Sequence, residues 1–290
     1  MLASLLVYGL INSVILALTA IGFSLTYGIS RIPNFAHGAL YVGAGFTAWF
    51  FVHKAGLPTI VAAILAILIT ALAGALLYRA VLARVRGIPL VEVITTFALG
   101  IVLLESMRYF GLFGTGYGLP PLATGTVEVL GVPVDAQRLV VVVVGLTAGA
   151  GLWLFSHRTR AGLALRAIAQ DEEAAMTVGI DAEAAATMSV ALGAGLAALA
   201  AVTILPLGFI AAESGFHVLI SSVAVCIVGG LGSTGGLVVA SLLIGYLQIA
   251  STTLLGPQYQ MVVALAAILL TLIVKPSGLF GEHKALEERV

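Results

Sequence analysis

Long charge-free apolar runs, separated by short polar stretches, set the pattern of this 290-residue chain. No ionised residue precedes Arg31. None falls between Lys54 and Arg79, Arg138 and Arg158, Glu183 and Glu213, or Glu213 and Lys275. A helix crosses the hydrocarbon core in about 20 apolar residues, so most runs are long enough to span once and the last holds two or three spans. The pattern predicts segments near 4–29, 36–53, 58–78, 90–113, 139–156, 185–211, 217–229, 236–255 and 258–274. The seventh is short for a span and reads as a half-helix, leaving eight or nine hydrophobic segments. Runs such as Val140–Phe155 and Thr59–Tyr78 are apolar all round, whereas barrel strands alternate over about 10 positions. Backbone groups in lipid must be satisfied within their own segment. The fold class is therefore an all-α polytopic membrane protein with broken helices, residues 1–290 forming a single transmembrane domain.

Composition sharpens this picture. The chain is 61% hydrophobic and 9% charged, with a mean hydropathy of +1.16. Soluble domains carry about 25% charged residues, and disordered segments are rich in charge and poor in apolar residues. Both classes are excluded. Lys+Arg 13 against Asp+Glu 13 leaves no basic excess for nucleic acid. The lone Cys226 supports neither a disulfide framework nor a metal cluster. The first run has no basic n-region and exceeds the roughly 7–15 apolar residues of a signal-peptide core, so it reads as a retained first span.

Basic residues favour the cytoplasmic side. With the N-terminus outside, Arg31, Arg79, Arg84, Arg86, Arg158, Arg160 and Arg166 fall inside, and nine crossings also put Lys275, Lys284 and Arg289 there. Lys54, Arg108 and Arg138 remain at the outer face. Eight crossings move the tail out and shrink the bias, so the charges favour nine and a cytoplasmic C-terminus. Two loops stand out: an external one at 114–138, Gly- and Pro-rich and read as an irregular cap, and a cytoplasmic one at 157–184, the most charged part of the chain. Residues 160–178 read as one helix with Leu163, Ile168 and Ala175 near one face and Gly179 as its stop. The acids Asp171, Glu172 and Glu173 repel anionic lipid, which favours docking on a partner over lying on the membrane. A solvated connector is the alternative.

Two breaks are legible. Pro33 lacks an amide donor and disfavours helix at Ile32, while Asn34 suits the cap of a helix starting near Phe35. The chain therefore breaks at or near the membrane and restarts at a helix N-terminus, whose free N–H groups and partial positive charge suit a carboxylate, and broken helices of transporters use such ends for substrate. A second break is expected at Gly229–Gly236, preceded by Gly215-Phe216-His217, which echoes Asn34-Phe35-Ala36-His37 as an internal repeat. Gly230-x-Gly232-x-x-Gly235 matches the dinucleotide fingerprint in letters only, since no βαβ context or properly spaced acid accompanies it. No P-loop is present. Within the spans, Glu105 and Arg108 are spaced to pair on one helix face. Glu92 and Glu213 sit near span ends, where they would reach water. The hydroxyls of Thr95, Thr96, Ser221 and Ser222 stay ambiguous, since such groups usually bond their own helix backbone, and Gly145 and Gly149 mark a packing face. No nucleophile–base set, paired carboxylates or metal cluster indicates enzyme chemistry, and no cofactor is expected.

Glu173-Ala174-Ala175-x-x-x-Gly179 resembles the EAA loop of ABC importer permeases, the helix that sits in a cleft of the ATPase subunit. The I-x-L-P ending of the general motif is absent after Gly179. The longer stretch Arg166-Ala-x-Ala-x-Asp171 through Gly179-Ile180 is similar to the permeases of branched-chain amino acid importers. Gly22–Gly28 with Ile32–Gly38, and the late Gly229–Gly236 run, resemble stretches of the same family. The resemblance covers Gly9 to about Lys275.

It implies an ABC importer permease in the bacterial inner membrane. It would pair with a second permease, in a heterodimer, and sit on two ATP-binding cassette subunits that hydrolyse ATP. A periplasmic binding protein would deliver a branched-chain or other neutral amino acid. Arg166, Asp171, Glu173, Ala174, Ala175 and Gly179 would couple to the ATPase. Asn34, Phe35, His37, Gly38, His217, Ser221, Gly230 and Gly232 would line the path. The alternatives are the same machinery carrying urea or short amides, or a stand-alone ion-coupled transporter. The absence of any acid over 214–274 counts against the latter.

Overall fold

A computed structural model describes residues 2–110 and 117–281. The outermost part of the fourth predicted segment (111–113), the start of the external loop (114–116), and Lys284 and Arg289 lie outside the described residues. Helices α1 (Leu2–Ser30), α2 (His37–His53), α3 (Thr59–Leu77) and α5 (Pro89–Tyr109) come first. A π-helical turn, Tyr78–Leu82, and a short α4 (Ala83–Val85) prolong α3. The hairpin β1 (Thr126–Val129) and β2 (Val132–Asp135) precedes α6 (Ala136–Arg158). The short α7 (Arg160–Gln170) and α8 (Glu172–Thr177) lead to α9 (Ala182–Ile204), α10 (Glu213–Gly229), α11 (Thr234–Leu254) and α12 (Gln260–Val274).

Seven helical stretches among the described residues are long and apolar enough to cross a membrane. The shorter α2 and α10, 17 residues each, bring the segments to nine. The bundle is built on two crossings. α1 and α9 run antiparallel and meet at Gly22 and Gly193, where each glycine lies against the other's backbone carbonyl. Thr26 Oγ1 donates to Gly22 O (3.1 Å) and reaches Ser189 O (3.4 Å) across the same contact. α2 and α10 meet likewise at Gly38 and Gly215. Small residues at such points let backbones approach in lipid, where no water drives helices together.

Around these crossings the neighbours repeat. α3 packs along α9 as α11 packs along α1, α2 packs on α3 as α10 packs on α11, and α5 packs on α2 as α12 packs on α10. Since α1 and α9 run oppositely, this is an inverted repeat of the kind that builds many transporters. The sequence echo between residues 34–37 and 215–217 falls near the starts of α2 and α10 but out of register, since α2 begins at His37 and α10 at Glu213.

One end of the bundle gathers the basic residues. Arg31 Nη2 donates to Ala169 O (3.0 Å), and Arg86 Nη2 reaches both Glu172 carboxylate oxygens at 2.8 Å. Lys275 belongs to the same end, because Leu279 and Phe280 donate backbone bonds to Val228 O (2.8 Å) and Gly229 O (3.0 Å). The opposite end holds Lys54, Arg108, Arg138 and the hairpin. There Tyr8 OH donates to Pro133 O (2.7 Å), and the buried Gln137 Nε2 donates to Thr203 O (2.8 Å). Of the loop expected to be an irregular cap, residues 117–125 carry no regular structure, whereas 126–135 form the hairpin. Leu130 and Gly131 both take positive φ (53° and 74°), the geometry that closes a two-residue hairpin.

Glu92 does not reach water. It is buried, and its Oε1 accepts the Gly87 N–H (2.7 Å), satisfying a donor ahead of α5. Glu92→Ala is expected to lower the unfolding free energy by about 1 kcal/mol, read as an earlier thermal transition in detergent. An unchanged transition would show that water replaces this cap. The glycine pair on α6 divides: Gly145 packs on Val14, whereas a side chain at Gly149 would meet open space.

Candidate functional site: the crossing of the broken helices and the loop at the basic end

α2 does not begin at a membrane face. After α1 ends at Ser30, the chain turns back through Arg31, whose φ is 58°, and residues 31–36 return alongside α1. His37, the first residue of α2, lies level with Thr19 in the middle of α1, and its Nε2 is 2.9 Å from Thr19 O. Asn34 organises the return: its Oδ1 accepts from Ala36 N (3.1 Å) and its carbonyl from His37 N (3.1 Å). It therefore caps the turn, and the helix starts at His37 rather than near Phe35. Thr96 Oγ1 bonds its own helix at Glu92 O (2.9 Å) and also reaches Pro33 O (3.1 Å), tying the return to α5.

A second break at depth lies apart from the glycine run. It is the stretch 205–212 between α9 and α10. Leu205 and Ile210 pack against Gly45 in α2, and Ile210 N donates to Tyr117 O (2.8 Å). The run Gly229–Gly236 instead turns α10 into α11 at the basic end. Gly230 (φ 98°) lies against the backbone of Phe280 and Gly281, and Gly232 (φ 82°) approaches Gly28. Positive φ and backbone contact, not a ligand, account for these glycines. The run joins two helices, which removes the dinucleotide reading.

The helix starts at His37 and Glu213 stand side by side and frame a narrow apolar cleft. Phe97, Ile101 and Leu104 of α5 line one wall, Phe216 and Leu219 of α10 the other, with Phe35 at its inner limit. Gly38, Gly100 and Gly215 form its floor. Of the residues assigned to the path, Phe35 and Gly38 line the cleft, and Asn34 supports it from behind. The His37 ring is bonded to Thr19 and stands edge-on to Phe23 (5.9 Å, 82°), so it packs rather than lines. His217 and Ser221 lie on α10 outside the cleft, His217 exposed, while Gly230 and Gly232 are at the far end of that helix. Ser222 Oγ is buried without a partner rather than bonded to its helix.

At the mouth of the cleft, Arg108 joins two elements. Its Nη1 is 2.6 Å from Glu105 Oε1, the spaced pair, and its Nη2 is 2.6 Å from Glu213 Oε1 on α10. Sequence spacing revealed the first contact. It did not reveal the second, because Glu213 is distant in sequence and nothing local signals its neighbour.

The loop at the basic end is two helices, not one. Asp171 takes an extended conformation (φ −154°, ψ 106°), and its Oδ1 caps α8 by accepting from Ala174 N (3.0 Å). Thr159 caps α7 in the same way. An acid with a short side chain prefers the cap to a helix interior. Leu165, Ile168 and Ala175 bury against Ile29, Ala182 and Ala185, fixing the loop on the ends of α1 and α9. Leu163, expected on that face, is 50% exposed. Gly179, at φ 85°, ends α8 as its position suggested. Arg166, Asp171, Glu173, Ala174 and Gly179 are exposed, beside Met176 and Val178, 48% and 76% exposed. Ala175 is the exception, holding the loop from beneath. Arg31, Arg86 and Glu172 tie the loop to α1 and α4; sequence reading counts them only as charges of the basic end and the acid cluster and names no partner for them.

A helical membrane bundle of inverted repeats, with two broken helices meeting at depth and a tethered helical loop at its basic end, defines a transport permease. The chain belongs to the family described as branched-chain amino acid transport system / permease component, whose profile matches residues 5–272. It is 30% identical to the high-affinity branched-chain amino acid transport system permease protein BraD of Pseudomonas aeruginosa, over 95% of this chain and 94% of that protein. To LivH of Escherichia coli K12 the identity is 29%, over 91% of each. To a probable LivH of Methanocaldococcus jannaschii it is 27%, over 94% of this chain and 90% of that one. Among solved structures, PsaBC from Streptococcus pneumoniae in complex with Fab matches with a TM-score of 0.53 at 15% identity, over 95% of this chain and 94% of that chain. That likeness concerns the fold alone.

Proposed function

We propose that this chain is the membrane-spanning permease subunit of an ABC importer for branched-chain or other neutral amino acids. Two ATP-binding cassette subunits hydrolyse ATP and engage the loop at 157–184. A second, related permease completes the pore, and a substrate-binding protein docks at the opposite end. The membrane is the bacterial inner membrane, with the basic end in the cytoplasm, in keeping with the placement of Arg31, Arg86 and Arg166. The family and the relatives' names support the cargo. The loop supports the coupling, and one observation carries it: α7 and α8 are anchored on one face by Leu165, Ile168 and Ala175, yet leave Glu173, Ala174, Met176 and Val178 uncovered on the other.

A partner that moves this loop moves α1, α4 and α9 with it. ATP-driven closure of the ATPase pair would then tilt the bundle and alternate access. Among the described residues no group of three or more His, Cys, Asp or Glu side chains could hold a metal.

The test is the double variant Glu173→Ala, Gly179→Ala in the full importer, reconstituted in vesicles. An alanine held at positive φ costs about 1–2 kcal/mol, which reshapes the exposed end of α8 without touching the core. Uptake of leucine should fall roughly tenfold per ATP hydrolysed, with insertion unchanged. Normal uptake and normal coupling would remove the loop from the mechanism.

A further inference from the structure

The cluster at the outer mouth of the cleft has a composition that packing alone does not explain. Arg108 faces two carboxylates, Glu105 and Glu213, so the group carries an excess negative charge. All three side chains are open to solvent in the single chain: Arg108 is 32% exposed, Glu105 58% and Glu213 68%. The guanidinium has five N–H donors in a planar fork, and the two ion pairs leave donors for another anion. One turn inward on α5 lies Leu104, and one turn along α10 from Glu213 lies Phe216, both in the apolar cleft. A cation, spare carboxylate and apolar slot thus lie within about one helical pitch, 5.4 Å.

We infer that this mouth is a docking site for the substrate zwitterion in the permease itself: Arg108 takes the α-carboxylate, Glu213 or Glu105 takes the α-ammonium, and the branched side chain enters between Ile101 and Phe216 as the cleft widens from the about 10 Å³ it encloses here. The inference rests on the proposed transport of neutral amino acids and specifies where such a molecule first meets this chain. The chemistry excludes much else. A sugar or urea has no charges to exchange with the Arg108–Glu213 bridge, and a dicarboxylate would meet the two acids. The bridge also joins α5 to the start of the broken α10. A zwitterion that inserts into it replaces one ion pair by two, and releases α10 from α5 as it does so. The site therefore belongs to the step in which the cleft opens.

The test uses the complete importer in lipid nanodiscs and a diazirine analogue of leucine as photolabel. Label is expected on peptides from α5 (Phe97–Arg108) or the first turns of α10. Excess leucine should suppress it. Isocaproate, which lacks the ammonium, and isoamylamine, which lacks the carboxylate, should compete at least about tenfold less well, the loss set by one charge-assisted hydrogen-bonded contact. The double variant Arg108→Met, Glu213→Met should lose the label while still co-purifying with its partners. If that variant does not assemble, the competition series on the unaltered importer decides alone.

Labelling elsewhere, or equal competition by isocaproate, overturns the inference and leaves an ion pair that only staples helices. ATP-driven leucine uptake is measured on the same preparation. Its absence from the unaltered importer overturns the proposed function and this site together, whereas uptake with label elsewhere overturns the site alone.

Discussion

A valine at Gly38 is expected to leave little folded permease in the membrane. Gly38 lies directly against the Gly215 carbonyl at the crossing of α2 and α10, and any Cβ there meets backbone that belongs to another helix. Leu219 stands beside the same position, so the helices cannot slide apart without opening the cleft wall. Overpacking a dense interior costs about 1–3 kcal/mol, occasionally more, and a valine at a backbone–backbone contact belongs at the upper end. Against a total stability of about 5–15 kcal/mol, that is a large fraction. Gly38→Ala should lie between the extremes. Gly149→Val is the contrast, since nothing lies within 4 Å of its added Cβ. Fluorescence-detected size exclusion and thermal transitions of the three variants check the order. If Gly38→Val matched Gly149→Val, the mid-depth crossing would not be as close as described.

The second large effect concerns the tether of the loop. Arg86→Glu places a carboxylate opposite Glu172, where the native pair holds two contacts of 2.8 Å. Side-chain exposures of 25% and 35% leave the pair partly shielded, so it is worth more than a free surface pair but less than a buried one. Like-charge juxtaposition at such a contact is estimated at about 2 kcal/mol, or roughly thirtyfold in an equilibrium. The expected reading is leucine uptake reduced by that order, with ATP hydrolysis by the assembled complex retained. Adding Glu172→Arg restores opposite charges and should recover most of the uptake. Failure of this exchange to rescue would show that Arg86 acts on something other than Glu172. Because the pair joins α4 to α8, its loss frees the loop from the α3 side while Leu165 and Ile168 still hold it to α1 and α9.

How far the sequence reached can be read from particular residues. The break at Pro33 was visible because proline and asparagine act on their own backbone, whatever surrounds them. The break at 205–212 was not visible, and it was absorbed into an apolar segment. Leu205 and Ile210 are buried against Gly45 rather than in lipid, and burial in protein selects the same apolar residues as burial in a bilayer. The converse holds at Gly229–Gly236, where the expected break is present between α10 and α11 but not at depth. Its glycines announced a break, but composition does not give depth, and the run lies at the basic end. The loop shows the same division. Gly179 as a stop followed from local preference. The split at Asp171 did not, because an Ala-rich stretch without proline reads as continuous helix.

The one-dimensional pattern of this chain determined that it lives in lipid, where most of its apolar segments lie, which residues gather at its basic end, and which loop carries the family's likeness. These are local properties: hydropathy, charge and capping act within a few residues of where they are written. Tertiary structure alone decided that α2 and α10 begin beside each other at depth, that α1–α3 and α5 repeat inverted in α9–α12, and that Arg86 meets Glu172 and Arg108 meets Glu213. Each of these depends on two segments far apart in sequence coming within a few ångströms. In a chain this apolar, many pairings bury comparable hydrophobic area. What selects among them is where the glycines let backbones touch and where the few charges find partners, and neither is settled until the helices have packed.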